Sequence, residues 1–221
     1  MKASEAIKRG ADFFARQEET FKVNLLRVST QNFFLTLTQQ YQSLYIVGLG
    51  ATPFQLGVVN GIGGVAAAAA AAPTGWLADK HGIRRILLVA TSLLTIGTLI
   101  FALAPDWILI IPAIFAVTLA LRMAMTLCPV VCGSCLRDEE RATGMQICDT
   151  LSAIPRLFSP ILAAFIITEF GGIGVDGVRP LYYLQSLGLC FVVMLILRWF
   201  RNPEKRRTRG KVSSFLDGLK Q

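Results

Sequence analysis

The sequence predicts an all-α integral membrane protein with six transmembrane helices. Of its 221 residues, 53% are hydrophobic and only 16% are charged, and the mean hydropathy is +0.55. A soluble domain of this composition would lack the polar residues to cover its surface. The charged residues also cluster between long apolar runs, which is the pattern of membrane spans joined by short polar loops.

Six segments have the roughly 20 apolar residues that a helix needs to cross the hydrocarbon core. The predicted spans are residues 28–48, 54–73, 83–103, 108–131, 145–168 and 181–200. They form one bundle over 28–200, preceded by a cytoplasmic amphipathic segment (1–27) and followed by a basic cytoplasmic tail or linker (201–221). Apolar residues recur at helical spacing in 3–25, so this part lies either in the membrane interface or in the cytoplasm as a solvated helix.

The distribution of Lys and Arg predicts the orientation. Nineteen of them fall on one side of the six predicted spans and only Arg179 on the other, with Arg122 and Arg156 inside spans. The positive-inside rule then places both termini in the cytoplasm, as in a multi-pass protein of the plasma membrane. The basic residues adjoin apolar spans, so the net charge of +8 indicates a lipid bilayer as the partner and no nucleic acid.

One loop carries a recognisable motif. Between the second and third predicted spans the chain reads GWLADKHGIRRIL, from Gly75 to Leu87. This resembles the Gly-x-Leu-Ala-Asp-Arg-x-Gly-Arg-Lys loop of the major facilitator superfamily, which joins its second and third helices in the cytoplasm. The matching positions are Gly75, Asp79, Lys80, Gly82, Arg84 and Arg85. Lys80 replaces the usual Arg and Ile83 a usual basic residue, so either Arg84 or Arg85 is the expected partner of Asp79.

The resemblance extends along most of the chain. The segments YIVGLGATPFQLG (45–57) and RDEERATG (137–144) look like the corresponding parts of the family, and Ser159 and Pro160 partly match its fifth-helix motif. The family has twelve helices, so this chain looks like its N-terminal half, either a fragment, a truncated gene product or a unit that pairs with a copy. The resemblance implies secondary active transport of a small solute by alternating access against a second six-helix half, with a proton or ion as coupling partner.

Polar residues inside the predicted spans are the candidates for a substrate pathway. Gln39, Gln40, Tyr41 and Gln42 are unusually polar for lipid exposure, so they face the pathway or hydrogen-bond to other helices.

Two central arginines form a second candidate group. Arg122 and Arg156 lie near the middle of the fourth and fifth predicted spans, and Asp149 shares a helix face with Arg156. The surplus positive charge is met by an anionic substrate, by an acidic residue of the second half, or by backbone carbonyls and water.

Enzymatic chemistry is not indicated. The only histidine, His81, lies in a loop, and no nucleophile and base share a membrane depth. Cys128, Cys132 and Cys135 have a spacing that can ligate an iron–sulfur cluster, but on an apolar helix small residues serve packing better. The glycine- and alanine-rich second span faintly resembles a dinucleotide-binding fingerprint, but no strand precedes it. Its small residues are better explained by close helix packing. We therefore expect no cofactor and no metal.

The alternative to a transporter is a six-helix sensor or assembly module that carries no solute across the membrane.

Overall fold

The computed structural model describes residues 19–135 and 141–200, and of 71, 72, 79, 132–135 and 141 it describes only the backbone. These ranges contain helices and no strand. The helices are α1 (Glu19–Gln39), α2 (Gln42–Gly48), α3 (Pro53–His81), α4 (Ile83–Leu103), α5 (Ile110–Cys135), α6 (Arg141–Glu169) and α7 (Val175–Trp199). The predicted all-helical class is confirmed.

Five of these helices, α3 to α7, are long and apolar enough to cross a membrane. They correspond to five of the six predicted spans, and α4 has the predicted bounds. The other four extend beyond the predicted bounds at one or both ends. α3 is the clearest case, because it continues through Pro73 to His81.

The first predicted span differs from its expected form. The prediction of one continuous helix over residues 28–48 was wrong, because a turn at Gln40 and Tyr41 separates α1 from α2. The Tyr41 amide donates to the Thr38 carbonyl at 3.0 Å, a short-range bond that tightens the end of α1. Helix α1 is also too polar to count among the long apolar helices, since it carries buried Asn24, Arg27 and Gln31.

Helix α1 already includes residues 19–27, which the sequence assigned to the N-terminal cytoplasmic segment. Phe21 and Arg27 are buried within the bundle, so packing begins before residue 28. The proposed interfacial helix (3–25) and the basic tail (201–221) lie largely or wholly outside the described residues.

The long helices pack in a row of neighbours. α3 contacts α5, α5 contacts α4, α4 contacts α7, α7 contacts α1, and α1 contacts α6. Smaller contacts of α5 with α1 and with α6 bend this row round into a bundle. Half of the residues in the apolar spans of α4 and α7 are buried, against 28% for α3 and 22% for α6. The helices at the two ends of the row therefore present broad uncovered faces.

Glycines permit the closest contacts within this row. A Cβ on Gly97 of α4 would lie 2.7 Å from Val117 Cγ2 and 3.2 Å from the Ala113 carbonyl oxygen of α5. On α3, Gly63 packs against Thr118 of α5, as its interpretation as a packing residue requires. Other glycines on α3, such as Gly61 and Gly64, have no described neighbour within 4 Å of a Cβ. Their role in packing stays a prediction.

Arginines join helices at both ends of the bundle. At one end, Arg84 at the start of α4 donates from Nη2 to the Leu197 carbonyl near the end of α7. We call this the basic end. At the other end, Arg179 of α7 donates to the Ala104 carbonyl at 2.9 Å and to the Tyr45 hydroxyl at 3.5 Å. The Tyr45 hydroxyl in turn donates to the Phe101 carbonyl at 2.8 Å, so α2, α4 and α7 are tied together there.

Candidate functional site: a charged cavity between three helices

A cavity of about 250 Å³ lies between α1, α5 and α6. Its polar and charged lining residues are Arg27, Gln31, Asn32, Asp149 and Arg156. Its apolar wall comes mainly from α1 and α5 and includes Leu35, Leu121 and Met125. Charged groups inside an apolar bundle are costly in a membrane and mark functional sites more often than structural ones.

Arg27 is held by its own helix. The side chain is 2% exposed, and it donates from Nε to Asn24 Oδ1 at 3.1 Å and from Nη1 to Gln31 Oε1 at 2.8 Å. These partners stand three residues before and four residues after Arg27, so all three side chains lie on one helix face. The planar guanidinium suits this arrangement because its donors point in several fixed directions.

Asp149 and Arg156 enter the cavity from α6. Seven residues separate them, which places them on one face about 10 Å apart along the helix axis. Both side chains are exposed in the described chain, and Arg156 Nε donates to the Ser152 carbonyl at 3.5 Å. Between these two described residues there is no ion pair within 4.0 Å. The cavity thus presents a separate carboxylate and guanidinium.

Ser159 fixes the position of α6 against α1. Its side chain is fully buried, and its hydroxyl donates to the Phe33 carbonyl of α1 at 2.8 Å. Phe33 follows the cavity residue Asn32 directly, so this bond joins the two walls beside the cavity. The Ser159 and Pro160 pair noted in the sequence therefore lies at a contact between helices.

The remaining sequence candidates lie elsewhere. Arg122 lies near the middle of α5, as expected, but its side chain is exposed and does not line the cavity. Gln39 and Gln42 lie on either side of the break between α1 and α2, and neither lines the cavity. The structure thus brings together Asp149 and Arg156 but not Arg122, Gln39 or Gln42.

Three polar or charged lining residues were not identified as site candidates from the sequence: Arg27, Gln31 and Asn32. Arg27 was counted with the positive charges outside the first span. A usable signal was present, because Asn24, Arg27 and Gln31 follow the spacing of one helix face. A run of polar residues at that spacing indicates an inward-facing stripe.

The loop motif occupies the turn between α3 and α4 at the basic end. Gly82 links the two helices with a φ of +88°, a conformation that favours glycine. Lys80 Nζ lies 5.0 Å from the ring centre of Trp76. Gly75 has no described neighbour within 4 Å of a Cβ, and Arg85 is exposed. The side chain of Asp79 lies outside the description, so its expected ion pair stays a prediction.

These features define a polytopic membrane protein with a small charged cavity inside a helical bundle. Residues 23–217 match the Major Facilitator Superfamily. Because the match covers most of the chain, the protein belongs to this superfamily of membrane transporters. A search of curated proteins gives no match.

Proposed function

We propose that this chain forms one six-helix half of a transporter that carries a small solute by alternating access. The half would rock against a second six-helix half, from the same or a different chain, around a central site. It would act in the plasma membrane with both termini in the cytoplasm, and a proton or another ion could supply the driving force. The family match supports the general class.

The observation that carries the proposal is the charged cavity. Asp149 and Arg156 belong to α6, a long apolar helix, and Arg27 faces them from the more polar α1. A cavity of about 250 Å³ is below the roughly 300–1,000 Å³ typical of sites for drug-sized ligands, which favours a small solute. The loop motif at Gly82, Arg84 and Arg85 is expected to steady the contact between the two halves, with Asp79 as the acidic partner.

The uncovered faces of α3 and α6 support pairing with a second half. Large apolar side chains on α6 are well exposed, among them Leu157, Ile161 and Phe165, at 63–71%. On α3 the exposed positions include small residues such as Gly61 and Gly64, which let another helix approach closely. One helix at each end of the row is therefore open to a partner.

Cys128 provides the test, because it lines the cavity. In the Cys128-only protein, Cys132, Cys135, Cys148 and Cys190 are replaced by alanine. An impermeant methanethiosulfonate reagent is added to right-side-out and to inside-out membrane vesicles. Alternating access predicts that Cys128 reacts from both sides, because the cavity opens to each in turn.

Two control variants make the result decisive. A protein without cysteines should not be labelled at all. A cysteine-free protein carrying Ile96→Cys, an exposed position in the middle of α4, should also stay unlabelled because the polar reagent does not enter hydrocarbon. Reaction of Cys128 from one side only would contradict transport and would favour a sensor or assembly module.

A further inference from the structure

The cavity contains fixed charges of both signs, and this limits the chemistry of its ligand. Three charged side chains line the cavity. The Arg27 guanidinium already donates to Asn24 and Gln31, whereas Asp149 and Arg156 lie on the same face of α6 without pairing with each other. A simple anion would gain from Arg156 but would be repelled by the Asp149 carboxylate. A simple cation would be attracted by Asp149 but repelled by Arg156. A ligand with both an ammonium and a carboxylate group can use each residue.

The spacing also suits such a ligand. Asp149 and Arg156 are about 10 Å apart along the axis of α6. Side chains on a helix lean towards its N-terminus, so the long Arg156 side chain leans towards Asp149 and shortens the gap. Charge-assisted hydrogen bonds of about 2.8 Å at each end leave room for a small molecule between the two groups.

The opposite wall adds two further constraints. The Asn32 amide of α1 can hydrogen-bond a carboxylate or an ammonium, and the Gln31 amide nitrogen can donate to a carboxylate, since the Gln31 oxygen already accepts from Arg27. Leu35, Leu121 and Met125 provide apolar surface for the body of the ligand. The volume of about 250 Å³ accommodates a small solute.

We infer that the cavity between α1, α5 and α6 binds a small zwitterion with an apolar body, of the neutral amino-acid type. Asp149 receives the ammonium group, and Arg156 receives the carboxylate. This inference rests on the proposed function for its setting, but binding can be measured without transport.

The test measures protection of Cys128 in the Cys128-only protein by three pools at equal millimolar concentration. The first pool holds neutral L-amino acids. The second holds the corresponding carboxylic acids without the amino group, and the third the corresponding amines without the carboxyl group. Only the first pool should slow the labelling of Cys128. Equal protection by a singly charged pool, or protection by none, would overturn the inference.

Two charge-removing variants assign the roles. Asp149→Asn should lower the affinity for the amino-acid pool by about tenfold to a hundredfold and leave the acids binding as well as the amino acids. Arg156→Gln should lower the affinity for the amino-acid pool by a similar factor, so that the amines and the amino acids bind equally well. Asp176→Asn and Arg122→Gln, which change charges outside the cavity, should keep the preference of the unaltered protein. If Asp149→Asn still prefers amino acids to acids, Asp149 does not receive the ammonium.

The two proposals fail in different ways. Labelling of Cys128 from both sides without protection by any pool would leave the transporter intact and remove the zwitterion site. Labelling from one side with protection by amino acids only would keep the site and remove alternating access.

Discussion

At the scale of single residues, Arg27 is the most buried cation in the part of the chain that the structure describes. Its 2% exposure combines with hydrogen bonds to Asn24 and Gln31, which lie on the same helix face. Burying a guanidinium is costly unless its donors are used, so the two amide side chains offset part of that cost. The polarity of α1, which weakens it as a membrane span, is what makes this part of the cavity possible.

Replacing Arg27 by lysine tests this reading. The lysine keeps the charge but cannot reproduce the two divergent hydrogen bonds of the guanidinium. Leaving buried acceptors unsatisfied costs about 1–3 kcal/mol, so the midpoint of thermal unfolding in detergent should fall.

Arg122→Lys is the matched control, because Arg122 is exposed and its side chain makes no described hydrogen bond. It should change stability by about 0.5 kcal/mol or less. Equal destabilisation by Arg27→Lys and Arg122→Lys would show that the bonds to Asn24 and Gln31 contribute little.

At the scale of helices, the sequence predicts much of the fold because crossing hydrocarbon requires about 20 apolar residues in a row. That requirement located α3 to α7, and the turn at Gly82 followed from glycine's freedom at positive φ. The break between α1 and α2 was missed because hydropathy describes a stretch of chain and not its hydrogen bonds. Asp149 and Arg156 stood out as charges inside a span, whereas Arg27 resembled an ordinary loop charge.

The contact between α4 and α5 gives a second prediction. Gly97→Ala would place a Cβ against Val117 and against the Ala113 carbonyl oxygen, and the backbone atom cannot move aside easily. Overpacking of this kind typically costs about 1–3 kcal/mol. The gain of up to about 1 kcal/mol from the better helix propensity of alanine offsets only part of it.

Gly64→Ala on α3 serves as the control, since no described atom lies within 4 Å of its Cβ position. Its unfolding midpoint in detergent should equal or exceed that of the unaltered protein, while that of Gly97→Ala should be lower. The reverse order would contradict the close packing of α4 on α5.

At the scale of the whole molecule, the helices at the two ends of the row are the least covered. Half of the α4 and α7 spans are buried, but less than a third of α3 and α6. The cavity opens beside α6, one of the two uncovered helices. The sequence could not predict this arrangement, because hydropathy marks which segments enter the membrane but not which faces meet. Lipid or a second half must cover the remaining apolar surface.

The orientation of the bundle is the last prediction, and it rests on charge. The loop between α4 and α5 contains Pro105 and lies at the end opposite the basic end, where Arg179 binds the Ala104 carbonyl. The positive-inside rule places this loop outside the cell and the basic stretch around Arg207 in the cytoplasm. In a cysteine-free background, Pro105→Cys should react with an impermeant reagent added to intact cells, and Arg207→Cys should react only after the membrane is permeabilised. A reactive Arg207→Cys in intact cells, with an unreactive Pro105→Cys, would mean that the bundle is inverted. Reaction at both positions in intact cells would mean that an even number of spans separates them, instead of the three that α5, α6 and α7 provide. Either result would then require a different assignment for the side from which a solute enters the cavity.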